Sequence, residues 1–233
     1  MKYSANTIQL DSPFIDQNGG LDRSHETLAR QTTPFGKRIF DITVSSLVTL
    51  TVLTWMIPVI GLLVKLSSPG PVFFLQWRNG RNGRNGRNGR KFRCIKFRTM
   101  RFDRNAAFKQ ATAHDPRITP IGRFLRKTNL DEMPQFLNVL MGDMSIVGPR
   151  PHAVEHDAQY EAVVPGYLHR YAVKPGITGL AQTRGLRGET GMTDMLHRVR
   201  LDRWYIRRQS AVLDVKICWW TVEKMVTGDE KAV

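Results

Sequence analysis

Asp131 and Glu132 are adjacent carboxylates just ahead of Pro134. Proline favours the first position of a helix, so the pair is expected at a helix N-terminus. Acidic side chains suit that end for the macrodipole alone, worth about 0.3–1 kcal/mol each, so the position by itself does not make a site. The neighbours change the reading. Lys96, Arg98, Arg123, Arg126, Lys127 and Arg150 all lie within a short stretch of chain around the acids. Arg150 sits in Gly148-Pro149-Arg150-Pro151, where two prolines fix φ on either side and present the guanidinium rigidly. A guanidinium held in this way suits bidentate grip of a phosphate; a turn with a solvated arginine is the plain alternative.

Acids beside fixed cations make sense for phosphoryl transfer. Carboxylates can hold Mg²⁺, which takes oxygen ligands and shares them with substrate phosphates. One carboxylate can also attack phosphorus and form an acyl phosphate, dividing the reaction into two steps. The cations then stabilise charge on the non-bridging oxygens. A glycosidase pair is the competing use of two acids. It needs carboxyls about 5–9.5 Å apart across a sugar, which neighbouring side chains at a helix mouth do not obviously provide.

The chain that must position these groups has 233 residues, room for one sizeable domain or two small ones. Its formal net charge of +15 calls for an anionic partner: nucleic acid, anionic lipid or a phosphorylated substrate. Cys94 and Cys218 are too far apart for a metal motif and too few for a disulfide framework, which suits a reducing compartment. Residues 1–36 are polar and turn-rich, with no apolar core after the first Met-Lys, and read as a disordered tail rather than a secretory signal.

From Ile42 to Val64 there are 23 residues without a charge, enough for a membrane helix, so residues 37–66 are assigned to one. Lys37 and Arg38 precede it, and Lys65 and a very basic region follow it. Positive flanks belong in the cytoplasm, and a straight crossing would put one of them outside. Pro58 removes one helical hydrogen bond and predicts a kink, with Gly61 loosening the same stretch. A helix bent there can enter and leave on one side, with Thr54 a candidate partner for the freed carbonyls. A single kinked crossing is the other reading.

Residues 67–77 open with a Pro-Gly turn and run into a strand-like stretch. The triplet RNG then repeats four times from Arg78 to Gly89. Glycine at every third position excludes a stable helix and predicts a flexible basic loop, fit for RNA, for lipid headgroups or simply for solvent. A nucleic-acid module would interleave aromatic rings with its basic run, and 78–91 contain only Lys, Arg, Asn and Gly. Arg117 to Pro151 reads helix, turn, helix, turn, with Gly142 as C-cap of the second helix. Pro175–Gln182 reads as a turn into a short strand, 192–208 as a basic helix, and 211–226 as a helix with an apolar face bearing Trp219 and Trp220. That last helix fits either the interfacial layer of a membrane or the protein core.

Three motifs, KFRTM (Lys96–Met100), DEMPQFLNVLMGDMSIVGPRP (Asp131–Pro151) and PGITGLAQ (Pro175–Gln182), resemble the bacterial sugar transferase family, the monotopic phosphoglycosyl transferases that start exopolysaccharide and O-antigen assembly. The likeness covers roughly Lys37 to Val226. It implies a mainly α fold with a small β component (α+β). In that fold a re-entrant membrane helix and amphipathic interfacial helices pack on a small cytoplasmic catalytic domain, residues 67–233. It implies transfer of a hexose 1-phosphate, glucose or galactose by its closest subgroup, from a UDP-sugar to undecaprenyl phosphate with release of UMP. By the resemblance Asp131 is the nucleophile and Mg²⁺ ligand and Glu132 its partner. Lys96, Arg98, Arg123 and Arg150 bind substrate phosphate, and Pro58 marks the helix break. The implied place is the cytoplasmic leaflet of the bacterial inner membrane, with no nucleic acid beyond the UDP moiety; a homodimer is compatible with it. The chain would be the small, catalytic-domain-only form. Two features depart from the pattern: Ile57 stands where members often place Ser before the kink proline, and the RNG repeat adds about two copies to a short glycine turn, an extension loops absorb cheaply. The reading without catalysis is a membrane-anchored basic protein that binds nucleic acid or lipid.

Overall fold

The computed structural model describes residues 35–82, 89–103, 112, 115–186 and 191–227. Most of the expected 1–36 tail and the centre of the RNG repeat therefore lie outside the described residues. The fold is mostly helical with two small β-sheets.

The uncharged segment forms α1 (Phe35–Val48), a π-helical turn (Thr49–Leu53) and α2 (Thr54–Ser67). Together they make 33 residues of helix, apolar and long enough to cross a membrane. The backbone irregularity falls one turn before Pro58 rather than on it. There the Thr54 amide reaches back to the Thr49 carbonyl, so the Leu50 carbonyl loses its usual partner. The Thr54 hydroxyl donates to that carbonyl at 2.9 Å, and Thr51 does the same for Leu47 at 2.7 Å. Threonine hydroxyls thus supply donors that the widened turn withdraws, as expected where water is scarce. Phe35, Leu47, Leu50, Trp55, Leu62 and Leu66 are exposed along this helix.

Both helix ends are tied to the same domain. Near the start, Lys37 pairs with Asp214 at 2.6 Å, and Arg38 donates to the carbonyls of Val139 and Leu140. Asp41 accepts from the Ser145 hydroxyl and the Ile146 amide. At the far end, Arg98 donates to the carbonyls of Val64, Ser68, Pro69 and Pro71 and to the Ser68 hydroxyl. Carbonyls at a helix C-terminus lack intrahelical donors, and one buried guanidinium supplies them here.

The first sheet is the antiparallel hairpin β1 (Phe73–Asn82) and β2 (Gly89–Phe97), in register from Phe73 opposite Phe97 to Asn79 opposite Lys91. The first RNG copy is therefore strand, a correction to the loop expected from Arg78 onward. Alternate side chains reach the core (Phe92, Cys94), and that burial outweighs the poor strand propensity of Gly and Asn. The second sheet is a short parallel pair, β3 (Ser145–Val147) and β4 (Gly176–Thr178). Gly148 and Gly176 pack backbone on backbone beside it, where a Cβ on either would collide with main-chain atoms.

Between the sheets lie α3 (Pro120–Thr128), a 3₁₀ turn (Leu130–Glu132) and α4 (Gln135–Met141). Thr119 caps α3 by accepting from the Gly122 amide, and Gly142 ends α4 at φ 90°, in the left-handed region expected of a C-cap glycine. After β3 come α5 (Val154–Glu161), a 3₁₀ turn (Tyr167–Ala172), α6 (Leu180–Thr183), α7 (Met192–Arg208) and α8 (Ala211–Thr227). The main core joins Phe92 and Cys94 of β2, Val139, Met144, Ile146, Val147, Tyr205, Ile206 and Ile217. A second cluster seats the π-helical turn and α2 through Leu53, Met56, Ile60 and Val64 against Phe97 and Leu125. Helix α8 packs Ile217 into the core, and Val212, Val215, Trp219, Val222 and Met225 form an exposed apolar face.

Candidate active site

Asp131 and Glu132 lie in the 3₁₀ turn, one turn earlier than a helix N-terminus proper, because Pro134 caps α4 rather than opening it. Asn129, at φ 58°, ends α3 in the left-handed region and bends the chain into that turn. Asparagine tolerates this conformation better than most side chains. The bend brings the acids against the end of β2 and the Gly148–Pro151 turn.

Glu132 is enclosed by cations. Lys96 of β2 donates to Oε1 at 2.6 Å, and the Arg150 guanidinium grips both oxygens, at 3.0 Å to Oε2 and 2.5 Å to Oε1. The fork-on-fork arrangement expected for a phosphate is thus made with a carboxylate. Burial opposes ionisation of Glu132, but Arg150 and Lys96 together outweigh it and hold the carboxyl well below the usual range. Glu132 organises the two cations, and its own oxygens are taken.

Asp131 is the opposite case. It is only 9 % exposed, and no described side chain or backbone group hydrogen-bonds to its carboxylate. Burial raises its pKa to about 6; Lys96 opposes the rise and Glu132 adds to it. A buried carboxylate with no hydrogen-bond partner among the described residues, in the field of Lys96, Arg126 and Arg150, is suited to meet a ligand.

The other expected residues divide. Arg98 is 4 % exposed and its donors all go to the loop after α2, so it is a helix clamp, not a phosphate ligand. Lys96 and Arg98 lie two residues apart on one extended edge, where the Arg98 amide still donates to the Val72 carbonyl at 2.9 Å; Lys96 reaches Glu132, whereas Arg98 reaches the carbonyls at and after the end of α2. Arg123 is exposed on α3 and makes no side-chain contact with the acids. Arg126, one helical turn on, is directed to them instead. Its Nε donates to the Thr99 hydroxyl at 2.9 Å, and although burial lowers its pKa, Asp131 is the strongest opposing charge.

Among the described residues no three or more His, Cys, Asp or Glu side chains gather as a metal cluster. With both Glu132 oxygens taken, Asp131 is the carboxylate left to offer a hard oxygen donor at the site among the described residues. That set fits an ion such as Mg²⁺, which takes most of its ligands from phosphate and water, and does not fit a metal that needs a protein cage.

Behind Arg150 stands a buried polar network that no motif marks. Arg170 pairs with Asp202 at 2.7 Å, and His152 lies between Arg170, Arg198 and Tyr167. Tyr167 donates to Asp157. Burial first, and then the surrounding guanidinium groups, hold the His152 pKa well below its ordinary value. These contacts join residues 10 to 46 positions apart, so no local spacing announces them.

Fold and site define a long apolar helix seated on a small α+β domain whose buried acid pair is enclosed by fixed cations. The chain belongs to the bacterial sugar transferase family, whose model matches residues 32–228. It is similar to the UDP-glucose:undecaprenyl-phosphate glucose-1-phosphate transferase of Escherichia coli K12, 48 % identical over 190 residues, covering 81 % of this chain and 39 % of that protein. It is likewise similar to the exopolysaccharide production protein PSS of Rhizobium leguminosarum bv. phaseoli, 46 % identical over 197 residues, 82 % of this chain and 95 % of the relative. The UDP-N-acetylgalactosamine-undecaprenyl-phosphate N-acetylgalactosaminephosphotransferase of Aeromonas hydrophila is 36 % identical over 215 residues, 89 % of this chain and 49 % of that protein. The chain thus spans well under half the length of the Escherichia coli relative.

Proposed function

We propose that the protein transfers a hexose 1-phosphate, glucose or galactose, from a UDP-sugar to undecaprenyl phosphate at the cytoplasmic leaflet of the bacterial inner membrane. One observation carries this reading: Asp131 is buried with no hydrogen-bond partner among the described residues, while its neighbour Glu132 holds two cations in place. An Asp131 oxygen attacks the β-phosphorus of the donor, the bond to the bridging oxygen breaks, and UMP leaves. The resulting phospho-sugar ester on Asp131 is then attacked by a phosphate oxygen of undecaprenyl phosphate. That step restores the carboxylate and yields the polyprenyl diphospho-sugar. Lys96 and Arg150, which hold Glu132, and Arg126, whose charge acts on Asp131, would stabilise the charge that develops on the non-bridging oxygens. A Mg²⁺ ion held by Asp131 and the donor phosphates would neutralise the diphosphate and stabilise the departing UMP.

The names of the relatives support donor and acceptor class. Glucose 1-phosphate transfer is named for the Escherichia coli protein, and N-acetylgalactosamine phosphate transfer for the Aeromonas protein. The anchoring of both ends of the apolar helix to one domain supports the re-entrant reading, since a domain on one side of a bilayer cannot hold both ends of a crossing helix. The exposed apolar face of α8 suits the same leaflet.

The test is a panel of UDP-sugars with undecaprenyl phosphate and Mg²⁺. UMP release that vanishes in Asp131→Asn supports the reading. Release of UDP, or an unaltered rate in that variant, overturns it. Labelling of the N-terminus from the periplasmic side would overturn the re-entrant helix.

A further inference from the structure

Arg150 acts only where its guanidinium is held, and two prolines fix φ without fixing where the turn sits. Two arginines from distant elements grip the turn by its carbonyls. Arg170, in the 3₁₀ turn after α5, donates from Nη2 to the Arg150 carbonyl at 2.7 Å. Its Nε is spent on Asp202 of α7, also at 2.7 Å, and both side chains are about 2 % exposed. Arg78, the first arginine of the RNG repeat, donates from Nη1 to the next carbonyl, Pro151, at 2.7 Å. Its other arm donates to Gln76 at 2.6 Å, and the strand around it bridges to Ala153. A buried guanidinium locked by an aspartate leaves its remaining arm one geometry, so the carbonyl it meets is pinned as well. The line of contacts runs from Asp202 through Arg170 to the Arg150 main chain, and from the Arg150 side chain to Glu132.

We propose that Arg170, locked by Asp202 and seconded by Arg78, is a positioning residue that sets the Arg150 guanidinium on the acid pair. The claim deepens the function proposed above and rests on it for its kinetic test. Arg170 touches no reacting group, and its effect passes through Arg150. Neither Arg170 nor Arg78 can be replaced by lysine without loss, because an ammonium on a flexible stem does not hold two acceptors in one plane.

The experiment is a double-mutant cycle on UMP release from UDP-glucose with undecaprenyl phosphate. Arg170→Lys is expected to lower kcat by about tenfold with KM little changed, and to have less than about a twofold effect once Arg150 is already Lys. Multiplicative effects would show that Arg170 acts on the domain at large and would overturn the proposal. An independent measurement keeps the two readings apart. Phenylglyoxal labelling of Arg150, followed by peptide mass spectrometry, is expected to quicken several-fold in Arg170→Lys and Asp202→Asn. An unchanged labelling rate in these variants overturns the positioning role even if no sugar is transferred, whereas quickened labelling in the variants of a protein whose wild type shows no turnover upholds it and removes only the proposed reaction. Should Arg170→Lys fail to fold, Arg78→Lys carries the same labelling test from the hairpin side, with the same two outcomes.

Discussion

Replacing Asp131 with Asn should abolish turnover and, at neutral pH, make the protein more stable. Asp131 has an ordinary pKa of 3.8 and a folded value of about 6. Its charged form is therefore disfavoured by folding. The sign follows from proton binding: between pH 3.8 and 6 the folded chain holds more protons at this position than the unfolded chain, so stability falls as pH rises through that window. At about 1.4 kcal/mol per pH unit the shift corresponds to roughly 3 kcal/mol, fully lost above pH 6 and fully present below pH 3.8. Asparagine carries no charge and avoids that loss. Asp131→Asn should gain up to roughly 3 kcal/mol over wild type at pH 7.5, equivalent to about 6–12 °C in Tm for a chain of this size. The gain should disappear near pH 4. Thermal unfolding in detergent, with chelator present, measures it. Adding Mg²⁺ should narrow the gap by stabilising the charged wild type alone. Equal stability of the two proteins at pH 7.5, or a difference that does not change with pH, would refute the account of Asp131 as a buried carboxylate held without a partner.

Glu132→Gln removes the charge that Lys96 and Arg150 share and frees both for Asp131. We expect kcat to drop by about 100-fold, and the acid limb of the residual pH–rate profile to move to lower pH, because Glu132 helps raise the Asp131 pKa. Arg98→Ala leaves several buried carbonyls at the end of α2 without donors and should cost about 2–4 kcal/mol, read as a fall in Tm that added substrate does not reverse. Lys37→Met strands Asp214 in the core and should cost about 3–5 kcal/mol by the same assay, while Lys37→Met with Asp214→Leu recovers most of it. Gly122→Ala places a Cβ on the Thr99 backbone and should destabilise the packing of α3, which a fall in soluble, active enzyme would report.

The long apolar helix, the α3–α4 pair with Gly142 closing it, α7, α8 and the Asp131–Glu132 pair were all legible in the chain itself. Each depends on local rules: an uncharged run, a helical period, a proline or glycine at an end, two acids side by side. Local rules do not say which cations arrive. Lys96, Arg98, Arg123, Arg126 and Arg150 look alike as letters, and the fold sorts them by where their backbones stand. β2 delivers Lys96 to Glu132, while Arg98, just past its end, meets the carbonyls at the end of α2. One helical turn separates exposed Arg123 from Arg126 beside the site. Glu132 takes the cations and leaves Asp131 bare, a choice between adjacent carboxylates that only packing makes. The clamp on Arg150 comes from residues 78, 170 and 202. Their partners are settled by chain crossings far apart in sequence, because a buried guanidinium must find its acceptors wherever the fold brings them.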